Sequence, residues 1–574
     1  MEQSIKKGVQ QLIEVLENNN IENVVISPGS RNAPLSISFG RSEKFKTYAI
    51  PDERSAAFFA LGMAERTESP TVLICTSGSA VLNYAPAVAE AFYRSVPLII
   101  ISADRPLAWT DQGDGQTIRQ ENALENHVVN FENLLENPNS DEEFWWNSRK
   151  INNSIAVAKQ KSAPIHFNFP FHEPLYNTEK VQSVNRATSK TKYLNTSNSL
   201  NDSDWKDLVE IWNNSRKKLI IVGQNRPNVK LNQLLGDLTK DSSTAVLVEN
   251  TSNLVHPKFI HCIDRTYNSI EKNAEVDFQP DLLITLGDAV VSKKIKSYLR
   301  NFKPKFHWRI NPFFEQMDTF QSLSHSITMH SANFFEQLMS QPLKFNLSRF
   351  GEQWKMLDFQ IQDLHSEYLL SAKYSDLSVF NFLLDSTPEN SHLHLANSSV
   401  VRYAQLFDPI KSIRYYANRG TSGIDGSTST AVGASVADKE SLHTFISGDI
   451  SAFYDSNAFW NHHIGPNFRM FVINNGGGGI FKIIPGPDTV QESDEFFVAK
   501  QSFSIEYICK AFQVNYMKAT NIEEIDQQID EFYSHWDNNR PVLMEIFTPH
   551  DENDKVLKDY FKSIKVVPKT LKNE

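Results

Sequence analysis

Short, almost entirely apolar runs alternate with longer amphipathic stretches along most of the chain. The first block contains ENVVIS, TVLICTS, VPLIIISA and PIHFNFP, separated by helical patterns such as ERSAAFFALGMAERT. A strand that is apolar on both faces belongs inside a parallel sheet, and parallel neighbours are joined by helical crossovers. The alternation therefore predicts an α/β fold of doubly wound parallel sheets with helices on both faces.

The pattern falls into three blocks, as expected because 574 residues exceed what one hydrophobic core normally spans. KKLIIVG, STAVLVE, PDLLITLGD and KFHWRIN mark the second block, and five runs from SHLHLANSS to PVLMEIFTP mark the third. The first and third blocks look like two versions of one architecture. We predict a first domain, a polar linker, a central domain, a helical connection and a C-terminal domain at residues 1–176, 177–204, 205–345, 346–375 and 376–574.

The overall composition excludes several classes of partner. A formal net charge of −11 gives no electrostatic footprint for nucleic acid or for an anionic membrane surface. The apolar runs are far shorter than the roughly 18 residues that a membrane span needs, and the N-terminal stretch lacks the apolar core of a secretion signal. Cys75, Cys262 and Cys509 are isolated and lack metal-ligand spacing. We expect a cytoplasmic protein.

Two polar residues in the third block predict a metal site. Asp449 follows the apolar run LHTFIS, and Asn475 follows FRMFVI, 26 positions later. Both side chains should lie at the carboxyl ends of buried parallel strands, where α/β sheets bind ligands. With a backbone carbonyl from the glycine run at 476–479, they form an all-oxygen set. Such a set suits Mg²⁺ that takes its other ligands from a diphosphate and water.

An acidic residue in the first block, Glu53, stands at the start of an amphipathic helical pattern. Taken alone, it is best explained as a residue that complements the helix dipole. Combined with a metal–diphosphate site, it fits a thiamine diphosphate enzyme. In such an enzyme a buried Glu hydrogen-bonds the aminopyrimidine ring and favours the imino tautomer that activates the cofactor. We assign Glu53 to this role.

Several basic and polar residues follow predicted strands and suit the recognition of carboxylates, since a guanidinium pairs with a carboxylate bidentately. Each one alone is best explained as an ordinary solvated residue. A group of them that converges in an acidic protein indicates a binding site. The loop from Gly420 to Gly426 leads into a small-residue helix and forms a plausible anion site. The candidate substrate-binding residues are Ser30, Arg31, Arg105, Gln116, Ser398, Arg402 and Arg419.

Taken together, these motifs resemble those of the 2-succinyl-5-enolpyruvyl-6-hydroxy-3-cyclohexene-1-carboxylate synthases, the thiamine diphosphate enzymes of menaquinone biosynthesis. The resemblance spans the first and third blocks from end to end, whereas the second matches only in layout. The wider superfamily has Gly-Asp-Gly where this chain has Gly-Asp-Ile at 448–450, a difference that the synthases tolerate. The matching signatures are ISPGSRNAPL, DERSAAFFALGMA, TSGSAVLNYAPAVAEA, VPLIIISADRP, GQTIRQ, NRGTSGIDGSTSTA, GDISAFYD and NNGGGGIF.

The resemblance implies roles for particular residues. Asp449, Asn475 and the Gly477 carbonyl would hold Mg²⁺ or Mn²⁺, and Glu53 would activate thiamine diphosphate. The seven candidate substrate residues would bind carboxylate-rich substrates. The family also uses a basic residue of the central domain, which no motif of this chain identifies. Further cofactor contacts are implied for Thr76, Gly78, Ile424, Gly448, Ile450, Ser451 and Phe481.

The implied reaction is decarboxylation of 2-oxoglutarate, followed by 1,4-addition of the succinyl carbanion to isochorismate. The resemblance also implies a homodimer or homotetramer in which the first and third domains pair across subunits. An acetolactate synthase or oxidase is the alternative enzyme, and it would bring an FAD site in the central block. A non-catalytic protein with the same fold, or a nicotinamide dehydrogenase, is disfavoured by the retained motifs and by the missing G-x-G-x-x-G fingerprint.

Overall fold

The protein is described here by a computed structural model that covers residues 2–180, 199–313, 317–484, 486–534 and 539–565. Across these residues the chain forms three parallel sheets with helices packed between and around them. The predicted fold class, α/β with three doubly wound parallel sheets, is therefore confirmed. No helix in the described ranges is both long and apolar enough to cross a bilayer.

The first domain contains a six-stranded parallel sheet in the order β3-β2-β4-β5-β7-β6, whereas β1 and β8 form a separate antiparallel pair. Its strands are β1 (Glu2–Ser4), β2 (Asn23–Ile26), β3 (Lys46–Ala49), β4 (Thr71–Cys75), β5 (Leu98–Asp104), β6 (Phe131–Asn133), β7 (Ile165–Pro170) and β8 (Thr178–Lys180). Its helices are α1 (Lys7–Asn18), α2 (Ala33–Arg41), α3 (Glu53–Thr67), α4 (Ala80–Asn83), α5 (Ala85–Tyr93) and α6 (Asp141–Lys161).

The central domain contains a five-stranded parallel sheet in the order β10-β9-β11-β12-β13. Its strands are β9 (Lys218–Val222), β10 (Thr244–Val248), β11 (Leu282–Leu286), β12 (Phe306–Asn311) and β13 (His325–Thr328). Its helices are α7 (Asp202–Asn214), α8 (Val229–Leu238), α9 (Ile263–Asn268), α10 (Lys293–Asn301) and α11 (Ser331–Met339). The long helix α12 (Phe350–Ser371) then leads to the third domain.

The third domain contains a six-stranded parallel sheet in the order β15-β14-β16-β17-β19-β18. Its strands are β14 (His392–Leu395), β15 (Arg414–Ala417), β16 (His443–Gly448), β17 (Phe468–Asn474), β18 (Asn515–Ala519) and β19 (Val542–Phe547). Its helices are α13 (Asp376–Asp385), α14 (Ser399–Ala404), α15 (Ser427–Ala437), α16 (Asp449–Tyr454), α17 (Ile480–Ile483), α18 (Glu506–Phe512), α19 (Ile522–Tyr533) and α20 (Asn553–Ser563).

Short 3₁₀ and π turns complete the described secondary structure. The 3₁₀ turns are Leu107–Trp109, Glu125–His127, Asn250–Ser252, Glu275–Phe278, Ser456–Phe459 and Pro487–Thr489, and a π turn covers Ser493–Phe497. The predicted linker at 177–204 is only partly described: its first residues form β8, its last residues begin α7, and 181–198 lie outside the described residues.

The first and third sheets share one topology. Numbered from the first strand of each parallel sheet, both follow the order 2-1-3-4-6-5, and the central sheet follows 2-1-3-4-5. In both large sheets the first strand therefore lies between the second and the third strand. The order of the strands reverses its direction at this point. Ligands bind at the carboxyl edge near such a reversal. The similarity predicted for the first and third blocks is thus present in the strand order.

Helices α3 and α15 join the first domain to the third within one chain. Gly62 of α3 lies so close to α15 that a Cβ there would stand 1.9 Å from the Thr430 carbonyl oxygen. Gly433 of α15 has the reciprocal relation to α3, with 2.0 Å to the Phe59 carbonyl oxygen. Almost the whole of α15 is buried. These two glycines permit the two backbones to approach, so the domains form one continuous core.

Candidate active site

Asp449 and Asn475 lie at the carboxyl ends of two neighbouring strands. β16 and β17 pair in parallel, with Gly448 opposite Ile473, and Asp449 then begins α16 while Asn475 follows β17. Both side chains are buried, at 1% and 8% exposure. The structure therefore brings together two oxygen-bearing groups that are separated by 26 positions in the sequence.

The Asn475 side chain presents a free oxygen. Its Nδ2 donates to Asp376 Oδ2 at 2.9 Å, and its main-chain oxygen accepts from His550 Nδ1 at 2.8 Å. Its Oδ1 is buried and has no hydrogen-bond partner within the described part of the chain. A buried carbonyl without a partner costs about 1–3 kcal/mol, so a ligand that contacts this oxygen would be favoured.

The Asp449 carboxylate accepts from Gln501 Nε2 at 2.5 Å and from the Ile450 backbone N–H at 2.8 Å. Burial raises the pKa of Asp449 to about 6, although these hydrogen bonds oppose the change. Burial disfavours the charged form, and a divalent cation would favour it. The amide of Gln501 thus donates to the same carboxylate that a metal ion would contact.

These residues fit a divalent cation that is bound to a diphosphate. The donor set consists of a carboxylate, an amide oxygen and backbone carbonyls, which suits Mg²⁺ or Mn²⁺. The space next to Gly448 is open, because a Cβ there would meet no heavy atom within 4 Å. Gly476 and Gly477 have φ values of +78° and +145°, which favour glycine and let the chain turn sharply after β17.

A second group with possible metal ligands lies at the opposite, amino edge of the third sheet. His392 and His443 begin β14 and β16, and their Nε2 atoms lie 3.3 and 3.8 Å from Asp438 Oδ2. Arg66 donates to the same oxygen through both Nε and Nη2, at 2.8 and 2.5 Å. Because a guanidinium already neutralises this carboxylate, the group is a structural network that joins the first and third domains.

Glu53 is the first residue of α3 and is partly buried at the carboxyl edge of the first sheet. Burial raises its pKa, whereas a hydrogen bond from its own backbone N–H opposes that change. Its neighbours are anchored to the third domain of the same chain: Asp52 accepts from Asn457 Nδ2 at 2.6 Å, and Arg54 donates to the Tyr454 carbonyl at 2.9 Å. Across the described residues, neither Asp449 nor Asn475 is a hydrogen-bond or ion-pair partner of Glu53.

The candidate basic residues form two groups, and the first group lies in the first domain. Arg31 is buried, donates to the Phe171 carbonyl at 3.0 Å and pairs with Glu173 at 3.3 Å. Burial and the nearby charge of Arg105 lower the pKa of Arg31. Arg105 in turn pairs with Asp114 at 3.4 Å. Two cations held close together suit an anionic ligand with more than one charge.

The second basic group lies between the third and central domains. Arg419 is buried and donates to Asn397 Oδ1 at 2.8 Å. Among the residues that the structure describes, no hydrogen-bond partner reaches its Nε or that of Arg402. Arg402 and Lys296 of the central domain both interact electrostatically with Arg419. Burial lowers the pKa of Arg419, and the nearby carboxylate of Glu249 opposes that change.

Two backbone donors of the loop after β15 are not available for the anion site that the sequence predicts. The backbone N–H groups of Gly420 and Thr421 donate to the Glu90 carboxylate of α5, at 2.9 and 2.6 Å. The prediction was wrong for these two donors, because an acidic residue of the first domain occupies them. Glu90 therefore fixes the loop that carries Arg419 to the first domain.

The remaining candidates vary in their surroundings. Ser30 and Gln116 are exposed, and Ser398 has a strained φ of +70° at the start of α14. Thr76 is buried against Gly29, and Gly78 donates its backbone N–H to Gln120 Oε1 at 2.7 Å. Ser451 Oγ donates to the Ile424 carbonyl at 3.2 Å, which joins the helix after Asp449 to the loop after Arg419. Phe481 stands in α17, with its ring near that of Phe497.

Several polar residues at the site were missed by the sequence analysis. They act through contacts that are distant in sequence: Asp376 holds Asn475, Gln501 contacts Asp449, and Gln120 supports Gly78. Asp376 and Gln501 belong to none of the motifs, whereas Gln120 is the last residue of the signature GQTIRQ. Lys296 supplies a basic side chain from the central domain near Arg402 and Arg419. For Lys296 a signal was present, because it belongs to the lysine-rich stretch SKKIK that follows a predicted strand.

Comparison with known protein families agrees with this geometry. Residues 6–125 match the N-terminal thiamine pyrophosphate (TPP) binding domain of thiamine pyrophosphate enzymes, residues 180–395 match their middle domain, and residues 398–546 match their C-terminal TPP binding domain. The fold and the site therefore define a thiamine pyrophosphate enzyme, as predicted.

Relatives that match over almost the full length narrow the assignment. The 2-succinyl-5-enolpyruvyl-6-hydroxy-3-cyclohexene-1-carboxylate synthase of Flavobacterium johnsoniae is 44% identical, with 97% of this chain and 98% of the relative covered. The synthases of Christiangramia forsetii and Porphyromonas gingivalis are 43% and 37% identical, with at least 95% of each chain covered. The chain belongs to the 2-succinyl-5-enolpyruvyl-6-hydroxy-3-cyclohexene-1-carboxylate synthase family. The predicted family is confirmed, and the acetolactate synthase alternative is not favoured.

Proposed function

We propose that this chain is the thiamine diphosphate-dependent transferase of menaquinone biosynthesis that converts 2-oxoglutarate and isochorismate to 2-succinyl-5-enolpyruvyl-6-hydroxy-3-cyclohexene-1-carboxylate. Membership of the synthase family and the two matched cofactor-binding domains support this function. In the proposed reaction 2-oxoglutarate loses CO₂, and the remaining succinyl unit adds to the isochorismate ring in a 1,4 sense.

In this proposal Asp449, Asn475 Oδ1 and the Gly477 carbonyl hold Mg²⁺ or Mn²⁺. The unpaired Asn475 oxygen beside a buried carboxylate supports the assignment. The open space at Gly448 leaves room for a diphosphate next to the same strand end. Ile450 and Ser451 follow in α16, and Ile424 and Phe481 contribute apolar surface near the cofactor.

Glu53 is proposed to hold a proton at the cofactor's aminopyrimidine ring. Thiamine diphosphate, when bound, supplies an electron sink for the negative charge that decarboxylation generates. A raised pKa suits Glu53, because a carboxyl group that exchanges a proton works best when its pKa approaches the operating pH. Thr76 and Gly78 lie at the end of β4, at the same sheet edge as Glu53, and we assign them cofactor contacts.

The two basic groups are proposed to bind the substrate carboxylates. Both substrates are dianions at neutral pH, and burying an unpaired carboxylate costs several kcal/mol. The unpaired Nε atoms of Arg402 and Arg419, with Lys296 nearby, support a carboxylate site between the third and central domains. Ser398 would join this site. A separate carboxylate site in the first domain would consist of Arg31 and Arg105, with Ser30 and Gln116 beside them.

We further propose that the active enzyme is a homodimer or a homotetramer in which Glu53 of one subunit meets the metal site of its partner. The lack of contact between Glu53 and Asp449 within the described part of one chain supports this arrangement. A cytoplasmic location is also proposed, since Cys75, Cys262 and Cys509 are all buried free thiols, as is usual in a reducing compartment.

The observation that carries the proposal is the buried, unpaired Asn475 oxygen next to Asp449. The test is an assay in which the purified protein receives thiamine diphosphate, Mg²⁺, 2-oxoglutarate and isochorismate, and the loss of isochorismate is followed. We expect turnover only with all four components. Isochorismate that persists in the complete mixture would contradict the function, and turnover without the cofactor would contradict the mechanism.

A further inference from the structure

Asp376, the first residue of α13, is a fully buried carboxylate with three side-chain donors. Its Oδ1 accepts from Thr548 Oγ1 at 2.6 Å and from Asn553 Nδ2 at 2.9 Å, and its Oδ2 accepts from Asn475 Nδ2 at 2.9 Å. The Asn553 side chain also accepts from the Asp376 backbone N–H at 2.8 Å. Asp376 therefore joins α13, the end of β17, the segment after β19 and the start of α20.

This contact decides which end of the Asn475 amide faces the metal site. The oxygen and the NH₂ group of an asparagine have nearly the same shape, so hydrogen-bond partners alone fix their orientation. An ionised carboxylate only accepts hydrogen bonds, so Asp376 selects the NH₂ group and turns Oδ1 to the opposite side. That oxygen is the buried atom without a partner. The main chain at Asn475 is held as well, by His550.

We propose that Asp376 is a positioning residue for the divalent cation: it orients Asn475 so that Oδ1 coordinates the metal, and its charge strengthens that oxygen as a ligand. Mutation of a group that hydrogen-bonds a metal ligand typically lowers metal affinity by about 10–100-fold. The inference rests on the proposed function, since it assumes a metal–diphosphate site at Asp449 and Asn475.

A purely structural role is the competing explanation, because Asp376 also joins four elements. The two explanations differ in what they predict for Asp376→Asn. Loss of structure alone would lower the thermal midpoint and leave metal affinity intact at a temperature where the protein is folded. Loss of positioning would weaken metal binding in the folded protein, because an uncharged amide no longer selects the NH₂ end of Asn475.

The test measures Mn²⁺ binding to the full chain by the electron paramagnetic resonance signal of free Mn²⁺, with thiamine diphosphate present and substrates absent. We expect Asp376→Asn to raise the Mn²⁺ dissociation constant at least 10-fold. Asp385→Asn, at the exposed last residue of the same helix, is the matched control and should bind like the wild type. A folded Asp376→Asn protein within twofold of the wild type would overturn the proposal.

A second measurement does not depend on the folding of a variant. A crystal structure of the wild type with Mg²⁺ and thiamine diphosphate should show Asn475 Oδ1 on the metal and Nδ2 on Asp376. An Asn475 side chain turned away from Asp376 in that complex would overturn the proposal. Failure of the wild type to bind Mn²⁺ at all would instead contradict the proposed function, so the two failures can be told apart.

Discussion

Three side chains of the candidate site share one physical property, which is a buried polar atom that has no hydrogen-bond partner among the described residues. Asn475 Oδ1 and the Nε atoms of Arg402 and Arg419 are of this kind. Each such atom costs free energy in the unliganded protein, and a ligand of complementary charge removes that cost. These unpartnered atoms support the proposed cation at Asn475 and the proposed substrate carboxylates at the two arginines.

The role of Glu53 is tested by Glu53→Gln. An amide cannot exchange the proton, so we expect kcat to fall by about 10²–10⁴-fold, the usual contribution of a general acid or base. Cofactor binding, measured by quenching of intrinsic fluorescence, should stay within a few-fold of the wild type. Glu68→Gln, at the exposed opposite end of α3, is the control and should keep full activity. A Glu53→Gln enzyme with wild-type kcat would exclude the assigned role.

Arg402→Ala should raise the KM for 2-oxoglutarate by an order of magnitude or more, because the substrate carboxylate loses a charge-assisted partner. Initial rates at fixed cofactor and Mg²⁺ give this number. Arg414→Ala removes an exposed arginine from the start of β15 and serves as the control. If Arg402→Ala keeps the wild-type kinetics, as the control should, Arg402 does not bind substrate.

The buried carboxyl of Asp455 makes stability depend on pH. Burial raises its pKa to about 7 from the ordinary 3.8, although hydrogen bonds from Ser429 oppose the change. Between pH 3.8 and about pH 7, Asp455 is therefore protonated in the native state but ionised in the unfolded chain. The contribution of this group to stability falls as pH rises through that window.

We expect Asp455→Asn to remove that pH dependence, since an amide does not titrate. Relative to the wild type, the thermal midpoint of the variant should rise by several degrees between pH 5 and pH 8, as measured by differential scanning fluorimetry. Parallel curves for the two proteins over this range would show that the pKa of Asp455 is not raised in the native state.

At this scale the sequence predicts residues that follow strand ends and little else. Asp449 and Asn475 stand directly after apolar runs, so their proximity follows from strand order. Asp376 contacts Asn475 from 99 positions away, and Gln501 contacts Asp449 from 52 positions away. Neither Asp376 nor Gln501 follows the end of a strand. Glu90 lies in the middle of α5 and binds a loop 330 positions further on. Such partners are set by tertiary packing, which no local pattern encodes.

Among the elements, the contact between α3 and α15 is the most important for the site. Glu53 begins α3, the loop with Arg419 precedes α15, and the two helices pack in one hydrophobic core. Close approach of the two helices depends on Gly62 and Gly433. A side chain at either position must displace a backbone carbonyl of the other helix. Packing of this kind is sensitive to the addition of a single methyl group.

Gly62→Ala should therefore destabilise the protein by about 1–3 kcal/mol, even though alanine favours helices. Gly40→Ala in α2 is a matched helical control, because a Cβ there meets no atom within 4 Å. It should be neutral or stabilise by roughly 0.5–1 kcal/mol. Thermal midpoints of the two variants give the comparison, and equal values would show that α3 and α15 tolerate separation.

The elements also show where prediction from sequence stops. The runs that were predicted as strands all belong to the sheets. The antiparallel pair β1–β8 was missed, and in the parallel sheets β3, β6, β13 and β18 were missed. All four are edge strands, and each is only partly buried. An edge strand faces solvent on one side and lacks the continuous apolar run of a central strand. The centre of each parallel sheet was therefore predictable, whereas of the six edge strands only β10 and β15 were predicted.

For the whole molecule, the central question is how Glu53 reaches the metal site. Within one chain the two lie on different sheets, and the residues beside Glu53 bind the last residue of α16 and the turn after it instead of Asp449. The two basic groups are separate as well: the strongest electrostatic neighbours of Arg31 all belong to the first domain. A second subunit that pairs first domain with third domain would complete the site.

Complementation between two inactive variants tests this claim most directly. Glu53→Gln and Asp449→Ala chains with different affinity tags are co-expressed, and the mixed dimer is purified through both tags. If each site combines Glu53 of one subunit with Asp449 of the other, one site of the mixed dimer is intact. We therefore predict about half of the wild-type specific activity, with both parent homodimers inactive. A mixed dimer as inactive as its parents would show that the two residues act within one chain.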